Sequence, residues 1–159
     1  MEVSVIGRSS TKLKIVATQV YWTIEDLGLT NSKLKLELIA QPGLRKTHGA
    51  NGLSGRQEDV LGFAIDTHLP IPQIYETVAH EMIHIKQMAK GKLRYEMKGK
   101  KEKVIWCGKD MSDMPYYDRP WEIEAFGKQA ILSRRFNEAL DAWIAEEAKK
   151  KNGKRKRKV

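Results

Sequence analysis

The chain has 159 residues, 41% of them hydrophobic and 31% charged, which suits one globular domain with a real core and leaves no length for a second. There is no apolar run of about 18 residues and no apolar stretch in Met1 to Ser10, so the sequence predicts neither a membrane span nor a secretory leader, and implies a cytoplasmic location. Of the 29 basic residues eight lie in positions 149–159, which hold no acid, and the remaining 21 nearly balance the 20 acidic residues. The reading is a near-neutral domain over 1–148 with a disordered basic tail at 149–159, able to meet nucleic acid or another polyanion.

In chain order, Val3 to Ile6 predicts a short strand, and Ser9, Ser10 and Thr11 offer N-caps for a helix running to about Asp26, where Gly28 ends it. Lys33 to Ala40 alternates Lys-Leu-Lys-Leu-Glu-Leu, the period of a half-buried strand. Residues 41–59, with Pro42, Gly43, Gly49, Gly52 and Gly55, predict a long loop, and Val60 to Thr67 a second strand. Pro72 suits the first turn of a helix that continues to about Lys90 before Gly91. Lys92 to Met97 and Glu102 to Cys107 predict a hairpin with the basic tip Lys98-Gly99-Lys100-Lys101. Cys107, the only cysteine, is expected in the core or a strand, and its solitude excludes a disulfide and a cysteine-rich zinc site. After a loop from Asp110 to Arg119, Pro120 opens a last helix reaching about Lys150. The order β-α-β-β-α-β-β-α describes an α+β fold.

The helix after Pro72 contains His80-Glu81-Met82-Ile83-His84, the pattern HExxH. At about 100° per residue, with His80 at zero, His84 lies at about 40° and Glu81 at about 100°. Both imidazoles therefore reach one metal ion, and zinc accepts neutral imidazole nitrogens at about 2.0–2.1 Å. Glu81 stands beside the metal, where it can take a proton from a water. The helix is apolar nearly all round, with Ile74, Val78, Ala79, Met82, Ile83, Ile85 and Met88, so the imidazoles are expected to be largely buried and in need of partners.

A catalytic zinc needs a third protein ligand and an open fourth position. No histidine follows His84, and Gln87 and Lys90 stand where the longer metzincin motif has glycine and histidine, so a carboxylate of the last helix is the candidate. With Trp121 at zero and about 100° per residue, Trp121, Ala125, Phe126, Leu132, Phe136, Ala139, Leu140, Trp143 and Ile144 occupy an arc from about 0° to about 140°. Glu122, at about 100°, falls inside that arc, whereas Glu124, at about 300°, joins Lys128, Arg134, Arg135 and Glu138. A carboxylate on a buried face needs a cation, so Glu122 is the expected ligand and Glu124 a solvated or supporting residue.

With His80, Glu81, His84 and a downstream Glu, residues 60 to 145 resemble a small gluzincin, an HExxH metallopeptidase whose third zinc ligand is Glu. Gln87 gives the form HExxHxxQ, similar to several minimal bacterial and phage zincins, and in size the chain resembles the SprT-like proteins, which act near DNA but usually supply a third His. The Glu-x-x-x-Asp/Asn pattern of such families ends here in Phe126, which removes a polar partner for a metal-bound His. The resemblance implies a zincin-like fold, with a small, mostly antiparallel sheet packed against three helices including the HExxH helix. It also implies an edge strand that binds extended substrate, here Val60 to Thr67, with Asp66 and His68 near its end able to touch substrate or cap a turn.

The expected activity is that of a zinc-dependent peptidase with Zn2+ held by His80, His84 and Glu122, Glu81 as general base, a peptide or protein as substrate and no membrane partner. Tyr116, Tyr117 and Arg119, just before Glu122, are available as oxyanion donors or as loop packing. The alternative is a non-catalytic nucleic-acid or polyanion-binding protein with a structural zinc. Two His and one Glu leave the metal under-coordinated by protein, which favours catalysis.

Overall fold

The computed structural model describes residues 1–8 and 10–156. Strand β1 (Glu2–Ile6) leads to helix α1 (Thr11–Asp26), capped where the Ser10 hydroxyl accepts the Leu13 N–H at 3.1 Å. Val16, Val20, Thr23 and Ile24, three and four apart, form its buried face, and Gly28 at φ 68° turns the chain away. β2 (Lys35–Gln41) buries Leu36 and Leu38 as its alternation predicts. β4 (Val60–Asp66) sets Leu61 beside Leu36 and Phe63 beside Leu38, so one face of the sheet is packed under α1 and the motif helix.

The main sheet has the order β1-β2-β4-β3, and two of its three pairings, β1 with β2 and β2 with β4, are parallel. The expected mostly antiparallel sheet is corrected on this point. α1 returns the chain to its starting end between β1 and β2, which makes that pair parallel, and the period of two that reveals a strand is the same in either direction. Inside the segment expected as loop lie a fourth helix, α2 (Leu44–His48), bounded by Gly43 and Gly49 at φ 77° and 72°, and strand β3 (Gly52–Gln57), antiparallel to β4. β3 and β1 are the edge strands and β4 is internal, which corrects the assignment of Val60 to Thr67 to the edge.

Helix α3 (Ile71–Ala89) carries the HExxH motif between the sheet and α1 on one side and the last helix on the other, which is why it is apolar all round. β5 (Leu93–Lys98), β6 (Lys101–Trp106) and β7 (Lys109–Asp110) form a second, antiparallel sheet. Cys107 and Gly108, at φ 48° and 83°, make the tight turn between β6 and β7, so the cysteine is exposed at a turn rather than placed in the core or a strand.

A 3-10 turn (Tyr116–Asp118) precedes α4 (Pro120–Lys156). α4 runs antiparallel to α3: Gln87 meets the Trp121 carbonyl at one end, and Tyr75 meets Phe136 with ring centroids 5.4 Å apart at the other. Beyond Phe136 the apolar arc leaves the body, with Trp143 60% and Ile144 52% exposed. The helix continues past the expected end near Lys150 as far as Lys156, and residues 157–159 of the basic tail lie outside the described residues. Among the described residues no helix is long and apolar enough to cross a membrane.

Candidate metal centre

His80 and His84 lie one turn apart on α3 and face α4, where Glu122 occupies the first turn. The two Nε2 atoms are 3.1 Å apart, and Glu122 Oε2 lies 3.3 Å from His80 Nε2 and 3.5 Å from His84 Nε2. Two atoms that each bind a tetrahedral zinc at about 2.0–2.1 Å lie about 3.3 Å from one another, so the triangle has the edges of one face of such a site.

The protons agree with the distances. The Gln87 amide nitrogen donates to the Trp121 carbonyl at 3.0 Å and to Glu124 Oε2 at 3.1 Å, both acceptors, so its carbonyl oxygen is the atom that faces His84 Nδ1 at 2.8 Å. His84 must then carry its hydrogen on Nδ1 and a lone pair on Nε2. Gln129 Oε1 lies 2.8 Å from His80 Nδ1, the matching contact on the other imidazole. In their neutral forms both imidazoles thus aim lone pairs at each other and at a carboxylate, a donor set that only a proton or a metal cation reconciles. Without metal the proton does so. Burial alone would depress the His84 pKa, but the hydrogen bonds that the imidazolium donates to Glu122 and Gln87 more than offset it and hold the group above its ordinary 6.5. Burial likewise pushes Glu122 up, and the two histidines outweigh it and hold its carboxyl far below the ordinary range.

Glu81 is 6% exposed and lies under β3, where a Cβ on Gly52 would stand 2.7 Å from its Oε1 and 2.8 Å from Thr77 Cγ2. Burial raises its pKa against a hydrogen bond from Ser54 and the nearby histidines, the direction that suits a base working near neutrality. A cleft of about 520 Å³ opens beside it, with Asn51 and Gly52 on one wall, His80 and Glu81 on the floor, and Tyr116 and Gln129 opposite. The Tyr116 hydroxyl donates to Glu122 Oε2 at 3.1 Å and stays protonated, its pKa pushed up to about 12 by burial and by the Glu122 charge.

Of the residues singled out in the sequence, the structure brings together His80, His84 and Glu122, with Glu81 and Tyr116 beside them. Glu124 stays outside the triangle, ion-paired to Lys128 and bonded to Gln87. Tyr117 is 84% exposed, and Arg119 donates to the Met114 carbonyl at 3.2 Å and lies over the Tyr116 and Trp121 rings. Asp66 accepts the N–H groups of Gly43, Arg45 and His68 at 2.8–2.9 Å, so it caps a turn. Those three bonds hold its carboxyl below the ordinary value although burial opposes them.

Phe126, where the gluzincin pattern that the sequence resembles has a polar residue, packs against the His80 ring with centroids 4.7 Å apart and the planes tilted by 59°. The polar support comes from Gln87 and Gln129 instead. Sequence reasoning missed these roles, although Gln129 lies seven residues after Glu122 and so on nearly the same side of α4. Compared with protein-family models, curated proteins and solved structures, the chain matches none.

Proposed function

We propose that this chain is a zinc-dependent peptidase of the small gluzincin kind, acting on a peptide or protein substrate in the cytoplasm. The observation that carries the reading is the triangle of His80 Nε2, His84 Nε2 and Glu122 Oε2, three converging acceptors with edges of 3.1–3.5 Å beside an open cleft. These residues would hold the zinc, with Gln87 and Gln129 fixing the imidazole tautomers. When bound, zinc supplies a Lewis acid that polarises a carbonyl and lowers the pKa of a water. Glu81, buried and basic, accepts the water's proton and passes it to the leaving amine. The Tyr116 hydroxyl, a donor at the cleft wall, is placed to bond the carbonyl oxygen as negative charge grows on it.

The free edge of β3 supports an extended peptide, because its unpaired backbone groups run from the cleft wall at Gly52 outward to Gln57. A structural zinc in a purely polyanion-binding protein would call for a fourth protein ligand, and three are grouped among the described residues.

The test pairs metal analysis with one substitution. The purified protein is expected to hold about one zinc per chain, and Glu81→Gln to keep that zinc and its melting temperature while losing hydrolysis of a peptide library by at least about 100-fold, the lower range for general-base catalysis. Failure to bind zinc, or an undiminished rate in Glu81→Gln, overturns the reading.

A further inference from the structure

The helices of one chain cover one face of the main sheet. α1 and α3 lie against the face that buries Leu36, Leu38, Leu61 and Phe63. On the opposite face the register sets Ile6 beside Ile39, Ile39 beside Ala64 and Ala64 beside Leu53, an apolar row across all four strands. Ile6 is 50%, Ile39 36% and Leu53 42% exposed. In the next row Gly62 pairs with Gly55, so two neighbouring strands present no side chain and the face dips into a groove of about 600 Å³. Sheets of parallel strands are ordinarily covered on both faces, and β1, β2 and β4 run parallel.

The groove is acidic at one end. It runs from the apolar row to the turn between β3 and β4, where Glu58 and Asp59 stand, and Glu37 lines it as well. Arg56, the one basic residue that lines it, belongs to the helix side of β3, where its guanidinium donates to the Met88 carbonyl at 3.2 Å. Among the described residues no ion pair includes Glu37, Glu58 or Asp59.

α4 has the matching pattern. Its positions 137–156 extend beyond Phe136 for about 30 Å, at about 1.5 Å per residue. Leu140, Trp143 and Ile144, three and four apart, share one side, and the helix then enters the segment 149–159 with eight basic residues and no acid. From Trp143 to Lys151 and Lys154 the axis rises about 12–16 Å, and from Leu53 to Glu58 strand β3 rises about 16 Å. A helix laid along the groove with Trp143 and Ile144 on the apolar row therefore brings its basic segment to the acidic turn. A chain cannot do this to itself, because α3 and the sheet lie between α4 and the open face.

We propose that the free half of α4 covers the open sheet face of a second copy of this chain, in a reciprocal two-fold dimer. A helix about 30 Å long and about 10 Å wide hides about 300 Å² on each partner, so a single contact falls short of a stable interface, whereas two bury about 1,200 Å² in all and reach the standard range. Two-fold symmetry supplies the second contact and leaves neither apolar surface unmatched. The inference does not rest on the peptidase reading.

The experiment uses the full chain in sedimentation equilibrium at up to about 0.1 mM, ample for a micromolar dissociation constant. The wild type is expected at twice the 18.2 kDa of the chain. Trp143→Gln/Ile144→Gln on the helix and Ile39→Gln/Leu53→Gln on the sheet should each weaken the dimer at least tenfold. Added salt should weaken the wild-type dimer, and Glu58→Gln/Asp59→Asn should flatten that dependence. Circular dichroism checks folding, and if the sheet variant does not fold, Leu53→Gln alone, at an exposed position, must weaken the dimer at least threefold. A monomeric wild type overturns the proposal, and one that instead co-sediments with phosphatidylserine vesicles through Trp143 and Ile144 gives the helix face to a membrane surface. A dimer lost in the helix variant and intact in the sheet variant overturns it too, since α4 would then pair with α4, and so does a salt dependence unchanged by the variant at the turn.

Discussion

A neutral imidazole offers a metal one lone pair, and the group that takes its other N–H decides which nitrogen bears it. At His84 that decision passes through three side chains: Lys128 holds Glu124, Glu124 and the Trp121 carbonyl hold the Gln87 amide, and Gln87 holds Nδ1. Zinc affinity should therefore fall in a graded order. Glu122→Ala removes a ligand and should nearly abolish binding, Gln87→Ala should cost about 10–100-fold as an outer-shell partner, and Glu124→Ala should cost less because the Trp121 carbonyl still orients the amide. Competition with a chromophoric chelator measures all three, and a larger loss for Glu124→Ala than for Glu122→Ala would reverse the roles assigned to the two carboxylates.

The same residues make stability depend on pH. His84, raised in the folded state, contributes stability that is complete below its ordinary 6.5 and fades as pH rises through its folded pKa. Glu122, lowered in the folded state, contributes stability that is complete above its ordinary 4.5 and is lost as pH falls through its folded pKa. The metal-free protein should thus exceed Glu122→Gln in melting temperature most between about pH 4.5 and 6.5, with the gap narrowing above that window. Added zinc should invert the upper limb, because metal and proton compete for His84. Melting curves of the metal-free pair with a constant gap from about pH 4 to about 9 would sink the pairing of His84 with Glu122.

Among the elements, β3 decides whether the site has a wall. It pairs with β4 from Gly52 to Gln57 and crosses α3 so closely that position 52 has no space for a side chain. Gly52→Ala should cost about 1–3 kcal/mol, the usual penalty for overpacking, and should lower the rate of the proposed peptidase reaction by displacing Glu81. Gly55, on the same strand, has nothing within 4 Å of a built Cβ, so Gly55→Ala should leave both within about 0.5 kcal/mol of wild type. Equal denaturant midpoints for the two variants would show that β3 does not rest on Glu81. α4 shows the opposite limit of an element. Its apolar arc predicts one long buried face, yet only the part up to Phe136 meets α3 and α1, and Trp143 and Ile144 carry the same arc into solvent.

At the scale of the molecule, the cleft exists because an edge strand, the middle of α3 and the first turns of α4 meet at one place. The sequence alone determined what depends on local geometry. The i, i+4 step of His80 and His84, the position of Glu81 beside them, and the phase that puts Glu122 on the buried face and Glu124 off it all follow from about 100° per residue within single helices. The strands β2 and β4, the hairpin of β5 and β6, and the start of α4 at Pro120 were legible for the same reason, being written in nearest-neighbour periods and turn residues. Only the tertiary structure decided the rest. Strand direction depends on where α1 returns the chain, and alternation is blind to it. β3 carries two glycines that read as loop, because one of them yields its side-chain space to Glu81 from another element. Gln87 and Gln129 look like ordinary helix residues until α4 packs antiparallel on α3, and which amide atom of Gln87 faces His84 is settled by carbonyl and carboxylate groups 34 and 37 residues away.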